Sequence, residues 1–414
     1  MIAYHFPPLA GSSGIQRSLR FAQQLPEFGW EPLVLTAHAC AYERTSADLV
    51  HEVPPTLVVR RAFALDCARH LSIGGRYPGF LARPDRWVSW QLDGVRQGLK
   101  LLRKFRPQAI WSTYPIATAH LIAARLQRIS RLPWIADFRD PMAQDGYPAD
   151  ERTWRSFAGV ERRVFAAATH SLFTTPGAAR MYRERFPEAG ERIGVLENGY
   201  DEESFLKAAQ GLDRGPLHPG SVTLLHSGIV YPEERDPSAL FAALGRLRST
   251  GRLAAGSVKL RFRAAVHHEL LAGLARQHDV EAMVEVCPAI GYAQALQEML
   301  RADGLLVMQG ANCNEQIPAK VYEYLRARRP ILCLADPGGD TAAVLQACGV
   351  GDVAPLESSG AIERLLPDFV SRVRAGKVAR PHEQAVADAS RRRRTAALAA
   401  LLDRCVAGAR PGAR

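Results

Sequence analysis

The chain has 414 residues, 47% hydrophobic and 23% charged, long enough for two domains that each bury a core. Its 53 basic and 42 acidic side chains leave a formal net charge of +11, which favours acidic partners (nucleotides, phospholipid surfaces, nucleic acid) without choosing among them. Seven scattered cysteines, odd in number and without a C-x-x-C pair, argue against a disulfide framework or a zinc site, and no apolar run reaches the roughly eighteen residues of a spanning helix.

The elements begin awkwardly. A first parallel strand should end before Pro7-Pro8, so only Met1 to Phe6 remain to form it, and a short strand is expected. The N-terminus lacks the basic and apolar regions of a signal peptide, so the expected address is cytoplasmic. Apolar runs then alternate with helical patterns, the signature of α/β layers with parallel strands. In the first half the patterning predicts strands at Pro32–Thr36, Thr56–Arg60, Ala109–Ser112, Trp134–Asp137 and Ser171–Thr174. Helices are predicted over Ile15–Phe28, Val88–Phe105, Ala117–Ser130 and Trp154–Ala168. The turn-rich segment Gly194 to Gly220 reads as the end of a first domain and a linker.

The second half repeats the alternation. Its predicted strands are Val222–His226, Lys259–Arg263, Val284–Cys287, Gly304–Met308, Ile331–Leu334 and Gly351–Ala354. Its predicted helices are Ser238–Ser249, His268–His278, Tyr292–Arg301, Pro318–Ala327 and Asp340–Cys348, with a helix-rich portion from Ala361 onward. Two α/β halves of similar size imply a cleft between them. The domains are expected at 1–205 and 206–385, with 386–414 a C-terminal helix.

Candidate site residues gather where strands end. Gly11, Ser12, Ser13 and Gly14 form a loop that enters a helix, with Arg17 in its first turns. It fits a ligand loop and a plainly capped turn equally, and it is not a G-x-G-x-x-G fingerprint. Asp137, Arg139 and Asp140 directly follow an apolar strand and suit the orientation of an acceptor hydroxyl; a structural ion pair is the plainer alternative. His120, alone on an apolar helix, fits packing more readily than reaction. Gly228 ends the first strand of the second half, where a phosphate can approach the backbone, and Arg235 and Arg263 are candidate phosphate ligands. Glu315, Ile317 and Pro318 lead into a helix carrying Lys320 and Glu323. Backbone N–H groups at a helix start, a lysine and a carboxylate one turn on suit a diphosphate and a ribose. An ordinary amphipathic helix fits the same letters. Arg391–Arg394 reads as a phospholipid or nucleic-acid patch or as a solvated helix face, and the segment with Tyr77, Phe80, Trp87 and Trp90 as a membrane contact or as packing. The arginine run lacks interleaved aromatics, which argues against nucleic acid.

Taken in order, Tyr4-His5-Phe6-Pro7-Pro8, Gly11 to Arg17, Phe28-Gly29-Trp30-Glu31-Pro32, Pro133 to Pro141, Glu197 to Asp201, Gly228 to Pro237 and Lys320 to Pro330 resemble the family-4 glycosyltransferases. The likeness is to the bacterial branch with a glycosyltransferase-4-like N-terminal domain. It implies a GT-B architecture, two Rossmann-like domains facing across a cleft, with the last helix returning to the first domain. It implies retaining transfer of a sugar from a nucleotide-sugar to a glycan or lipid-linked acceptor, with no cofactor and no metal. The family's E-x7-E pattern falls on Glu315 and Glu323: Glu323 would bind the ribose and Glu315 would lie near the donor sugar. The basic pair for the diphosphate would be drawn from Arg235, Arg263 and Lys320. Two departures stand out: the loop after Glu315 is not glycine-rich, and Arg263 lacks the glycine that commonly follows. A peripheral contact with an anionic membrane, at the inner face of the cytoplasmic membrane, is an expected partner. The alternatives are a sugar-nucleotide epimerase or hydrolase on the same fold, or a non-catalytic binding protein.

Overall fold

The computed structural model describes residues 1–12, 14–213, 215–254 and 256–409. It divides into two compact units: Met1–Asn198 with the segment from Arg391 onward, and Gly199–Ser390.

The first unit holds six strands: β1 (Leu33–Ala37), β2 (Val58–Ala62), β3 (Ile110–Thr113), β4 (Trp134–Arg139), β5 (His170–Phe173) and β6 (Ile193–Val195). β1 pairs with β2, and β3 to β6 pair in sequence, all in parallel. Ile2 joins the two pieces, bridging Leu35 on one side and Ser112 on the other. The expected first strand thus shrinks to the stretch around Ile2, with Ile2 N donating to Trp111 O at 2.7 Å and Thr113 N to Ile2 O at 3.1 Å. The order becomes β2-β1-Ile2-β3-β4-β5-β6. β3 and β5 are almost wholly buried because both faces of the sheet are covered, although half of their residues are polar. Phe138 of β4 stacks on Phe165 and Phe173, with ring centroids 5.1 and 5.2 Å apart. On the opposite face Leu398 and Leu402, from the helix Arg391–Ala409, pack with Trp111, Ile135 and Leu172.

The second unit holds β7 (Val222–Ser227), β8 (Val258–Arg263), β9 (Val284–Cys287), β10 (Gly304–Met308), β11 (Ile331–Leu334) and β12 (Val353–Ala354). All pair in parallel, in the order β12-β11-β10-β7-β8-β9. Counted from the first strand of each unit, both sheets run 3-2-1-4-5-6, the doubly wound Rossmann order, and the first unit adds β6. β10 and β11 are buried at every residue. Leu224, Leu306 and Phe262 fill one face of the sheet, while Leu225, Leu305 and Tyr324 fill the other.

Several expectations change. The predicted linker contains a helix, Glu202–Ala209, capped by Asp201, whose side chain accepts from Ser204 N. That helix belongs to the second unit: Phe205 lies in its core and Glu202 pairs with Arg326 at 2.6 Å. The first division therefore falls at Asn198/Gly199 rather than 205/206, and the second at Ser390/Arg391 rather than 385/386. The predicted helix Ile15–Phe28 gives way after Gln24 to a tighter turn over Leu25–Phe28, because Pro26 lacks the N–H an α-helix needs there. The helix Pro176–Arg185 and strand β6 were not predicted at all.

Candidate functional site

β7 is the switch point of the second sheet. The chain leaves it towards β8 on one side and returns as β10 on the other, the kind of position where open α/β sheets bind ligands. The loop after β7 supplies Gly228, whose φ of +118° a side chain would resist. A Cβ there would lie 3.1 Å from Lys320 Nζ, so the glycine leaves room for the lysine. Lys320 opens the helix Lys320–Ala327, two residues later than predicted. Pro318 precedes it in a tight turn, where Val321 N donates to Pro318 O at 2.9 Å.

Lys320, Glu323 and Tyr324 project from one side of that helix, at positions i, i+3 and i+4. Buried Tyr324 accepts at its hydroxyl from Ser227 N at 2.8 Å, pinning the loop after β7 to the helix. Lys320 Nζ lies 3.0 Å from Nε2 of His226, which is fully buried. Arg235 packs its guanidinium over the Tyr231 ring at 5.1 Å and leans on Glu234 at 3.7 Å, the latter a loose pairing. Its Nε is buried and makes no hydrogen bond. Although Lys320 is only half-buried, the protein packed around it and the nearby positive charge of Arg235 push its pKa down to about 7, while Glu323 opposes the shift. Two cations thus share one small region.

The loop bearing Glu315 is held from below. Buried Gln309, one residue after β10, donates from Nε2 to the carbonyls of Cys313 and Gln316, and its Oε1 accepts from Thr341 Oγ1. Gly310 N donates to Glu234 O at 2.6 Å, tying this loop to the Arg235 loop. Ile317 turns its side chain into the core, so it contributes to the loop through packing and backbone. Half-buried Glu323 accepts from the hydroxyl of Tyr292 at 2.8 Å.

Arg263 does not join this group. It donates twice to Glu298, at 2.7 and 2.8 Å, and once to Pro288 O at 2.7 Å. It is a buried structural fork, which removes it from the expected diphosphate set.

In the first unit the polar residues mostly satisfy one another. Arg17 donates to both Asp137 oxygens, at 2.9 and 2.8 Å, and to the carbonyls of Leu196 and Glu197. Asp137 also accepts from Thr113 Oγ1 at 2.9 Å. Both side chains are buried, so the expected acceptor-orienting carboxylate is instead the plainer structural ion pair. Arg139 breaks the strand with a φ of +64°, and Thr174 N and Oγ1 both donate to its carbonyl. Gly14 makes space for it, since a Cβ there would run into the Arg139 guanidinium and sit 2.7 Å from His5 Nδ1. Asp140 stays exposed. Gly11 turns the loop with a φ of +81°, and Ser12 Oγ lies 2.8 Å from His5 Nδ1 while accepting from Gly14 N. Ser13 lies outside the described residues. Burial and the Arg139 charge push the His5 pKa down to about 3, so it is neutral. His120 is fully buried beside Phe138, its Nδ1 2.7 Å from Ser112 Oγ, and burial pushes its pKa down to about 4. It is a core histidine and forms no part of the loop surface.

The remaining motifs also resolve. Arg392 pairs with Glu27 at 2.8 Å and Arg394 with Glu197, so these members of the arginine run anchor the C-terminal helix to the first unit. Trp87 and Trp90 pack around Tyr4, whereas Phe80 stays exposed. Among the described residues, no group of three or more His, Cys, Asp or Glu side chains converges as a metal site, and no helix is long and apolar enough to cross a membrane.

Sequence reasoning missed His226, Gln309, Thr341, Tyr292 and His5. The only available signal for His226 was a polar residue within the buried first strand of a Rossmann unit, immediately before Ser-Gly. Gln309 and Thr341 are joined only by the fold.

Residues 13–199 match the family model described as glycosyl transferase 4-like domain. No curated protein matches the sequence. Solved structures match over nearly the full length. A glycosyltransferase from Rickettsia africae has a TM-score of 0.63 at 9% identity, covering 98% of both chains. Sucrose-phosphate synthase from Thermosynechococcus elongatus has 0.66 at 14%, covering 99% of both. The Anabaena protein HepE in complex with UDP has 0.58 at 12%, covering 98% of this chain and 97% of its own. At these identities the likeness establishes the fold, which is GT-B with two Rossmann-like domains.

Proposed function

We propose that this chain, a glycosyltransferase of the GT-B fold, uses a nucleotide-sugar as donor and transfers the sugar with retention to a glycan or lipid-linked acceptor. The observation that carries the donor assignment is the pairing of Arg235 and Lys320 at the switch point of the second sheet, with Glu323 one turn further along the same helix. Two neighbouring cations repel unless an anion lies between them, and a diphosphate is such an anion. Glu323 then offers a carboxylate to ribose hydroxyls, as Tyr292 already shows by donating to it. HepE, with the same fold, has been solved with UDP and with UDP-glucose, which supports this class of donor.

During transfer the bond from the anomeric carbon to the diphosphate oxygen breaks, a bond to the acceptor oxygen forms, and the proton of the acceptor hydroxyl passes to the leaving diphosphate. Negative charge grows on the leaving diphosphate, where the two cations stabilise it. No covalent nucleophile is assigned. On the acceptor side, Arg139 and exposed Asp140 remain available to orient a hydroxyl, while Asp137 holds Arg17. The acceptor class, the cytoplasmic address and a contact with anionic lipid belong to the same proposal. Exposed Phe80 and Ile73, in a segment that also carries exposed Arg76, support the lipid contact.

The test is calorimetric binding of a nucleotide-sugar panel followed by transfer assays. Lys320→Ala and Arg235→Ala are each expected to lower transfer about 100-fold or more, and Glu323→Ala to weaken donor binding about tenfold. Wild-type turnover in both cation variants rejects the diphosphate assignment. Release of an altered or hydrolysed sugar without acceptor would identify an epimerase or hydrolase instead.

A further inference from the structure

His226 is the penultimate residue of β7, and no solvent reaches it. Its Nδ1 lies 3.0 Å from the carbonyl oxygen of Leu306 on β10. A carbonyl brings no proton, so Nδ1 carries the hydrogen and donates. Nε2 is then a lone pair, and Lys320 Nζ stands 3.0 Å from it. The lysine must be the donor. A proton on Nε2 would face the ammonium directly. Burial, Lys320 and Arg235 together hold the imidazole pKa well below its usual value, against the opposing carbonyls of Leu306 and Ile229, so the ring is neutral. The charged groups around the pair are Arg235 and, on the lysine's own helix, Glu323. The lysine amine occupies the space a side chain at position 228 would need, since a Cβ there would lie 3.1 Å from Nζ.

We propose that His226 is a positioning residue for the transfer reaction: its Nε2 holds the Lys320 ammonium in the orientation that meets the donor diphosphate, with the Leu306 carbonyl selecting the tautomer that makes this possible. The inference rests on the reading of Lys320 as a diphosphate ligand. A flexible lysine would sample many rotamers, and anchoring one N–H removes most of that freedom before the ligand arrives. The arrangement parallels a histidine whose second nitrogen is fixed by a backbone carbonyl so that the first is aimed at its target.

Two substitutions divide the two bonds. In His226→Asn the amide N–H can still reach Leu306 O, but the acceptor for Lys320 is lost. In His226→Gln the amide oxygen can take the place of Nε2. The expected result is a donor KM raised about tenfold in His226→Asn with a smaller change in kcat, and recovery to within about threefold in His226→Gln. The pH profile of donor KM should shift in His226→Asn, because the lysine has lost its neutral partner. In a Lys320→Met background, His226→Asn should change KM no further, since the residue acts through the lysine.

Additive losses in the double variant, or wild-type KM in His226→Asn, overturn the positioning role. Unaltered donor affinity in Lys320→Met overturns the diphosphate reading itself, whatever His226 does. Nitrogen-15 NMR of the imidazole in the wild-type protein tests the tautomer without a substitution. A proton found on Nε2 overturns the proposal even if both variants fail to fold.

Discussion

The two units wind their sheets in the same order and place charged residues at the same kind of strand end, yet they use them in opposite ways. In the first unit Arg17 and Asp137 neutralise each other, and nearly every donor on the guanidinium has a protein partner. In the second, Arg235 and Lys320 are neighbours of like sign, and the side chain hydrogen-bonded to the lysine is an uncharged imidazole. The first arrangement is complete as it stands. The second is balanced only by the loose contact of Glu234 with Arg235 at 3.7 Å and by Glu323 near Lys320, which leaves its cations open to an anion. A charged residue after a strand is therefore not by itself a site; what matters is whether the fold has already supplied its counter-charge.

The contrast breaks most sharply at Asp137. Asp137→Asn leaves a buried arginine without its charge and should lower stability by about 3–5 kcal/mol, read as a fall in the denaturant midpoint. Protein that remains folded should bind donor as the wild type does. A stable Asp137→Asn variant that has lost only acceptor use would return Asp137 to the catalytic side.

Arg263 sharpens the comparison within one unit. Arg263→Met should destabilise by about 1–3 kcal/mol, less than Asp137→Asn because Glu298 keeps Arg261 at 2.6 Å. Donor affinity, followed by calorimetry, should not change. A tenfold loss of affinity would put Arg263 back with Arg235.

The smallest effect is a dependence on pH. With the free Lys320 pKa near 7, the lysine is mostly charged below that value and an anion binds without proton exchange. Above it, binding must first return a proton, so affinity falls by up to about tenfold per pH unit until the pKa of the complex is reached. A nucleotide-sugar is the right probe, because its diphosphate does not titrate in this range. Lys320→Arg should flatten the curve, since arginine stays charged. A flat wild-type curve would mean that the lysine is already fully charged.

How much of this was legible follows the same division. β9, β10 and β11 match their predicted spans, and in β10 and β11 this is because continuous apolar runs bounded by turns leave little freedom. Lys320, Glu323, Arg235 and Gly228 were legible as candidates, since helix spacing and strand ends place them. The role of Arg263 was not, because Glu298 lies 35 residues away and only the pairing of β8 with β9 and the docking of the helix Tyr292–Arg301 bring them together. Asp137 and Arg17, 120 residues apart, failed for the same reason. The helix Glu202–Ala209 was hidden by the glycines and prolines that follow it, although Asp201 was a usable cap signal.

The crowding of Arg235 and Lys320 has one more consequence. Once the sugar has left, the nucleotide ends in a free terminal phosphate and carries more negative charge than the molecule that entered. The same two cations should then grip the spent nucleotide harder than the fresh one. Turnover would be paced by its escape, and the nucleoside diphosphate should inhibit competitively with a constant below the donor KM.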